Sequence, residues 1–393
     1  MNEVESRRLK ILIVTAFQKR NTTVWEEARV LSGFGHHVEV LLPAESEDGK
    51  FLEACGIPVH IINIGGSNVA RNTFLRKRYF DIVAVPKLRR VFEQFDVVHL
   101  NLLRARILGR LANTFKRKPV VVSTVRGPDL DLSRLWLLEM LTNRIDSRTV
   151  AISQDVKRYL IEKGLPSSRI CVIHNGVDLK AIDSVPHTPH FLHHLTGLST
   201  ETPLIGMIAW FYPHVKGHEV FIRAACILHR EFPNIHFAIV GGGLFGDDTY
   251  LNEMKSLTQQ LGLQGIVHFV GQIDHGDIPC VLDSLKMLVV PSVIREGLGM
   301  VIVEAMARNV PVIASNIGGI PELLGEGGDC AGILVNPGDP QMIADAVLSL
   351  LRNPRMCSSL VQVGRKRVEQ YFTAEKMCRE YERLFLQLVE SDV

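Results

Sequence analysis

The sequence predicts an α/β protein built from two parallel β-sheets, each covered by helices, as two doubly wound domains joined in series. Three observations carry that expectation. Short β-branched runs alternate with helical patterns along the chain. A segment rich in Pro and His, Ser184 to Pro203, interrupts the rhythm, which then restarts. The length of 393 residues is too great for one comfortable core and suits two domains.

In the first half the strand candidates are LKILIVT (9–15), HVEVLL (37–42), VHIINI (59–64), DVVHL (96–100), PVVVST (119–124), SRTVAI (147–152) and RICVI (169–173). In the second half they are LIGMIA, IHFAIV, IVHFV, KMLVV, PVIAS and AGILV, between residues 204 and 335. The domains are therefore drawn at 1–183 and 203–372, with 184–202 as a linker. The tail TAEKMCREYERLFLQLVE carries apolar residues at Met377, Tyr381, Leu384, Phe385 and Leu388, the spacing of an amphipathic helix. Ligands of open parallel sheets bind beyond the carboxyl ends of the strands, so the expected site is a cleft between two facing sheets.

Composition narrows the function. The seven cysteines are dispersed and form no CxxC pair, which points away from zinc sites and disulfide frameworks and towards a reducing cytoplasm. The charged start MNEVESRRLK lacks the apolar core of a signal peptide, and no apolar run reaches the length of a membrane span. Residues 1–180 carry 29 Lys and Arg against 19 Asp and Glu, whereas residues 181–393 carry 15 against 23. Much of the positive charge lies in Arg71 to Arg90 and Arg104 to Lys118. Phe74, Leu75, Tyr79, Phe80 and Ile82 interleave with the first stretch, a mix that suits an anionic membrane surface, although solvated helix faces have the same composition. No nucleic-acid-binding motif is present. His187, His190, His193 and His194 cluster without the acidic or thiol partners that would complete a metal shell, so no metal is expected.

Gly241, Gly243 and Gly246 satisfy GxGxxG after IHFAIV, but the acidic residue that would hold a ribose hydroxyl is missing from the end of the next strand. Gly241 and Gly242 are read instead as a turn that lets backbone approach a ligand. The stronger signal is PSVIREGLGMVIVEAMARNVPVIAS, residues 291–315. Glu296 stands in a loop after a strand, and Gly297, Leu298 and Gly299 lead into a helix whose open N–H groups attract phosphate. Glu304 follows about 7 Å along that helix among apolar residues. A carboxylate there needs a partner, either a neighbouring Arg or the hydroxyls of a ribose.

This segment is similar to the EX7E motif of the retaining glycosyltransferases of family 4, which have the GT-B fold of two Rossmann-like domains. AISQDVKRYLIEKGL with VIHNGVD, IGMIAWFYPHVKGHEVFIRAA, GGIPELL and GILVNPGDPQMIADAV resemble further parts of that family. The resemblance implies transfer of a sugar, with retention, from a nucleotide diphosphate to a glycan, lipid-linked or small-molecule acceptor. It makes Lys216 the cation on the donor phosphates, with Gly217 admitting close approach. Glu304 would hold the ribose, while Glu296 and the backbone of Gly297 to Gly299 would hold the transferred sugar. It implies no metal and no cofactor beyond the donor, because a lysine and a helix terminus neutralise the leaving diphosphate. It also sends the terminal helix, 373–393, back onto the first domain.

The chain departs from the family pattern in three loops. TAFQKRNTT replaces paired glycines, which makes Lys19, Arg20 and Asn21 the candidate acceptor contacts. Arg126 stands in STVRGPD where the family commonly has His. Arg126 cannot act as a base, but it can bind an anion in the catalytic site. Trp210 replaces an Arg before Lys216 and is expected at the same cleft mouth, leaving Arg126 or Arg295 as substitute donors. Two other readings stay open: a non-catalytic sugar-nucleotide binder, and an epimerase or phosphorylase on the same fold. Neither the sugar nor the base is legible.

Overall fold

The structure is a computed structural model, and it describes residues 7–16, 22–64, 74–114, 118–127, 132–243, 246–325 and 327–391. Its contacts divide the chain into two compact units, Met1–Gly176 with Ala374–Val393, and Val177–Thr373.

The first unit holds β1 (Lys10–Thr15), β2 (His37–Leu42), β3 (Val59–Ile61), β4 (Val97–Asn101), β5 (Val120–Val125), β6 (Arg148–Ala151) and β7 (Ile170–Val172). They form a parallel sheet in the order β3-β2-β1-β4-β5-β6-β7. Side chains alternate across it as strand geometry requires. Ile11 and Ile13 pack under the helix Thr22–Gly33, and Leu12 and Val14 pack with Ala84, Leu88 and Phe92 of the helix Phe74–Phe92. The helix Ala374–Ser391 covers the first of these faces with Met377, Tyr381, Phe385 and Val389, an i, i+4 stripe buried in the same cluster. Tyr381 also bonds through its hydroxyl to Thr124, 2.9 Å away.

The second unit holds β8 (Leu204–Ile208), β9 (His236–Val240), β10 (Val267–Gly271), β11 (Met287–Val290), β12 (Val312–Ser315) and β13 (Ile333–Val335). The order is β10-β9-β8-β11-β12-β13, again parallel. Strand order reverses between β8 and β11, which creates the crevice at which doubly wound sheets bind ligands.

Two expectations need correcting. Residues 184–202 are not a free linker. The helix Phe191–Thr196 packs on the second unit, with Leu192 fully buried and its N–H bonded to Ser284 Oγ at 3.0 Å. Thr188 N–H reaches Asp283 at 2.9 Å, and His187 lies 3.1 Å from the same carboxylate. The basic stretch from Arg104 to Lys118 is not wholly superficial either. Arg106 and Arg110 are buried, paired with Glu139 and Asp146 at 3.0 Å and 2.7 Å, so their charge is spent inside the unit. On the helix Phe74–Phe92, Lys87, Arg89 and Arg90 are exposed, while the side chains of 74–82 lie outside the described residues. No helix among the described residues is long and apolar enough to cross a membrane.

Candidate active site

The loops that leave β8 and β11 at their carboxyl ends build the site. Trp210 to Gly217 follow β8, and Pro291 to Gly299 follow β11. These loops are locked together by backbone contact. Gly217 has φ +76°, and a Cβ there would fall 1.9 Å from the carbonyl oxygen of Pro291. Beside it, Val293 N–H donates to Val215 O at 3.0 Å. Gly318, with φ +62°, presses on Glu296 in the same way: a Cβ would lie 2.1 Å from the Glu296 oxygen and 2.6 Å from its nitrogen. Gly319 N–H then bonds to Glu296 O at 2.9 Å. Only glycine combines this backbone conformation with so close an approach.

The result is a pocket of about 300 Å³ lined by Ala209, Trp210, Lys216, Ser292, Glu296 and Gly299 with Met300, among others. Lys216 Nζ donates to both oxygens of Glu296, at 2.9 Å and 2.7 Å, and Ser292 Oγ donates to Oε2 at 3.1 Å. The helix Met300–Ala307 starts at Gly299, which has φ 87° and supplies no side-chain cap; Ile302 N–H bonds to Gly299 O at 2.9 Å, and Gly299, Met300 and Val301 line the pocket. Helix N-termini of this kind attract negative charge. Leu298 is buried, and neither it nor Gly297 is among the residues that line the pocket. Glu304 lies one turn beyond Met300 on the same helix face, largely buried, with His275 Nε2 3.8 Å from its Oε1. The helix thus sets a loop glutamate at its mouth and a second glutamate deeper along its side.

Trp210 is 37% exposed and lines the pocket, so it is not a core residue. Gly241 and Gly242 make close contacts within the chain. At Gly241 the close approach is to the chain itself, since a Cβ would lie 1.9 Å from Ala209 O. Gly242 accepts a hydrogen bond from Phe211 N–H at 3.0 Å and borders the Trp210 ring. This glycine turn therefore holds the Trp210 loop.

Arg126 belongs to the first unit, just after β5. Its Nε and Nη2 donate to Asn101 Oδ1 at 3.2 Å and 2.8 Å, and Nη1 donates to Asn175 Oδ1 at 2.9 Å. Nη2 also lies 3.9 Å from the buried Glu27 carboxylate. Glu27 is hydrogen-bonded to His99, which bonds on to Thr124. Arg126 is thus a member of an internal polar network that includes Asn101, Asn175 and, at longer range, Glu27. Lys19, Arg20 and Asn21 lie outside the described residues.

Three residues escaped the sequence reading. Ser292 stands four residues before Glu296, and its bond to that carboxylate was invisible without the fold. Gly318 opens GGIPELL, a segment in which no local pattern announces the contact with Glu296. His218, next to Gly217, is fully buried and stacked on Phe211 at 4.2 Å. Burial, and secondarily the charge of Lys216, push its pKa down to about 4, so it is neutral at pH 7. Among the described residues no group of three or more His, Cys, Asp or Glu is arranged to hold a metal ion.

Comparison with known proteins agrees with this architecture. The family model described as glycosyl transferases group 1 matches residues 193–367, and the model of glycosyltransferase family 4 matches residues 21–181. A phosphatidyl-myo-inositol mannosyltransferase of Mycobacterium leprae is 27% identical over 369 residues, covering 91% of each chain. A UDP-Gal:alpha-D-GlcNAc-diphosphoundecaprenol alpha-1,3-galactosyltransferase of Escherichia coli is 29% identical over 264 residues, 64% of this chain and 65% of that one. Among solved structures, Anabaena HepE in complex with UDP and glucose superposes with a TM-score of 0.81 at 23% identity, over 96% of this chain and 99% of its own. With matches to both halves and two Rossmann-like parallel-sheet domains, the chain belongs to the group 1 glycosyl transferases of family 4 and has the GT-B fold.

Proposed function

We propose that this protein is a retaining glycosyltransferase that moves a sugar from a nucleoside diphosphate sugar to a lipid-linked or glycan acceptor. The observation that carries the reading is the convergence of Lys216, Glu296 and the uncapped helix start at Gly299 on one pocket at the switch point of the second sheet. The anomeric C–O bond of the donor breaks and its electron pair leaves with the diphosphate. Lys216 and the N–H groups of the helix Met300–Ala307 face that developing charge, a fixed electrostatic environment that needs no reorganisation as the bond opens. Glu304 accepts the ribose hydroxyls, and Glu296 accepts the hydroxyls of the transferred sugar. The acceptor oxygen bonds to the anomeric carbon, and its proton leaves with the phosphate.

In this reading the diphosphate is neutralised by protein groups, and no metal or cofactor is required. The acceptor class is inferred from relatives whose names specify membrane lipids, phosphatidyl-myo-inositol and diphosphoundecaprenol. Such substrates favour work at the inner face of the cytoplasmic membrane, with the helix Phe74–Phe92 and its basic residues towards anionic lipid. The test is nucleotide release from a panel of UDP-, GDP- and ADP-sugars, with and without lipid-linked acceptors, in the presence of a chelator. Acceptor-dependent release under chelation is expected. Nucleotide binding without release from any donor would replace the enzyme with a sugar-nucleotide binder, and activity abolished by chelation would remove the metal-independent mechanism.

A further inference from the structure

The cation read as the phosphate ligand already has an anionic partner. Lys216 donates to both oxygens of Glu296, and Oε2 of that carboxylate also accepts from Ser292, which is fully buried. The backbones that carry the pair are held by contact: Gly217 against Pro291, Gly318 against Glu296, and the bonds Val293 N to Val215 O and Gly319 N to Glu296 O. The loops cannot part without breaking those contacts, whereas the two side chains, 29% and 17% exposed, line an open pocket and are able to rotate. Resting on the donor-site reading above, we propose that Glu296 is an internal counter-ion for Lys216, which the donor diphosphate displaces, and that Ser292 is a positioning residue that retains the released carboxylate.

The charge balance explains why the exchange runs in that direction. A lone carboxylate offers Lys216 one negative charge, while a nucleoside diphosphate offers two or more together with contacts to the helix start at Gly299. Once Lys216 turns to the phosphates, Ser292 still donates to Glu296 Oε2, so the carboxylate keeps a hydrogen bond and remains at the pocket as an acceptor for sugar hydroxyls. One ligand event thus charges the phosphate site and arms the sugar site. It follows that Glu296 opposes nucleotide binding in the ground state even though turnover needs it.

The experiment is a double-mutant cycle read by calorimetry with UDP, GDP, ADP and inorganic pyrophosphate on wild type, Glu296→Gln, Lys216→Ala and the double variant. Gln keeps the shape and the Ser292 contact but removes the charge. Glu296→Gln is expected to bind the active diphosphate about two- to fivefold more tightly, the upper part of the range for a partly exposed ion pair. In the Lys216→Ala background the same change is expected to gain less than about twofold, because there is no pair to break. Equal or weaker binding by Glu296→Gln overturns displacement, as does an equal gain in both backgrounds, which would mean simple repulsion. If no diphosphate binds wild type or any variant, the donor-site reading falls first and takes this proposal with it. Ser292→Ala supplies a second readout that does not depend on Glu296→Gln folding. With the donor that supports turnover, it is expected to lower kcat about tenfold, one charged hydrogen bond, at unchanged KM. An unchanged kcat, or a rise in KM alone, refutes its retaining role.

Discussion

Gly217→Ala tests whether backbone contact between the two loops places Lys216, the proposed phosphate cation. At φ +76° an L side chain is strained by about 1–2 kcal/mol. The new Cβ would also sit 1.9 Å from Pro291 O and 2.8 Å from its carbon, so the loops must retreat by roughly 1 Å to reach ordinary contact. That movement breaks the 3.0 Å bond from Val293 N to Val215 O, a further loss of about 1 kcal/mol. The sum is roughly 2–3 kcal/mol, which for a unit of this size lowers Tm by about 4–12 °C. Gly262→Ala is the control, because Gly262 has nearly the same φ, +71°, and nothing within 4 Å of the added Cβ. It isolates the conformational cost from the collision. Thermal unfolding and calorimetric titration with nucleoside diphosphate should separate the two: both variants lose stability, but only Gly217→Ala loses nucleotide affinity as well. If the two melt alike and bind alike, the loops are not locked at Gly217 and the placement of Lys216 must have another cause.

Glu304→Ala is expected to weaken nucleoside diphosphate binding by roughly 1.5–3 kcal/mol, the worth of charge-assisted hydrogen bonds, and full affinity by calorimetry would remove the ribose assignment. Trp210→Arg should change Tm little, because the side chain is 37% exposed on the pocket, and should leave nucleotide affinity intact or raise it; a marked fall in Tm would contradict that position. His218, held neutral by burial down to a pKa of about 4, binds its proton more readily unfolded, so the stability it contributes is present above pH 6.5 and is lost as pH falls towards 4. Urea midpoints across that window should decline less steeply in His218→Phe than in wild type, and parallel slopes would refute the assignment. Replacing Arg76, Lys77, Arg78, Arg89 and Arg90 by Ala should reduce flotation with anionic liposomes at low salt, at about 1 kcal/mol per basic residue; equal recovery would sink the membrane contact.

Most strands were legible because β-branched runs bounded by turn residues have few other uses in a folded chain. VHIINI is instructive as an overshoot: six residues read as strand, but only Val59–Ile61 pair, at the edge of the sheet with a single neighbour, β2. The linker failed for a physical reason. Pro and His composition describes a loop well, yet Leu192, Thr188 and His187 find Ser284 and Asp283 more than 90 residues away, and no local pattern announces such partners. Arg106 and Arg110 make the same point with charge, since their helix looks basic until Glu139 and Asp146 are brought beside it. Trp210, Lys216, Glu296 and Gly299, grouped by their loop positions, line one pocket, but their pairing was not legible. Lys216 and Glu296 are 80 residues apart, and nothing in either loop says that each occupies the other.

Loops at the carboxyl edge of an open sheet are ordinarily the variable part of the fold, and here the glycines remove that freedom. Gly217 joins the loop after β8 to the loop after β11, Gly318 joins the loop after β11 to the one after β12, and Gly241 joins β9 to the Trp210 loop. Each join is backbone against backbone, which no side chain larger than hydrogen permits. Four adjacent strand ends are thereby fixed relative to one another, with the helix start at Gly299 among them. The positions of the charges are then a property of the main chain, and only the choice of partner is left to the side chains. That division suits the proposed donor site, in which the main chain holds the diphosphate steady while the acidic side chain beside it changes partner.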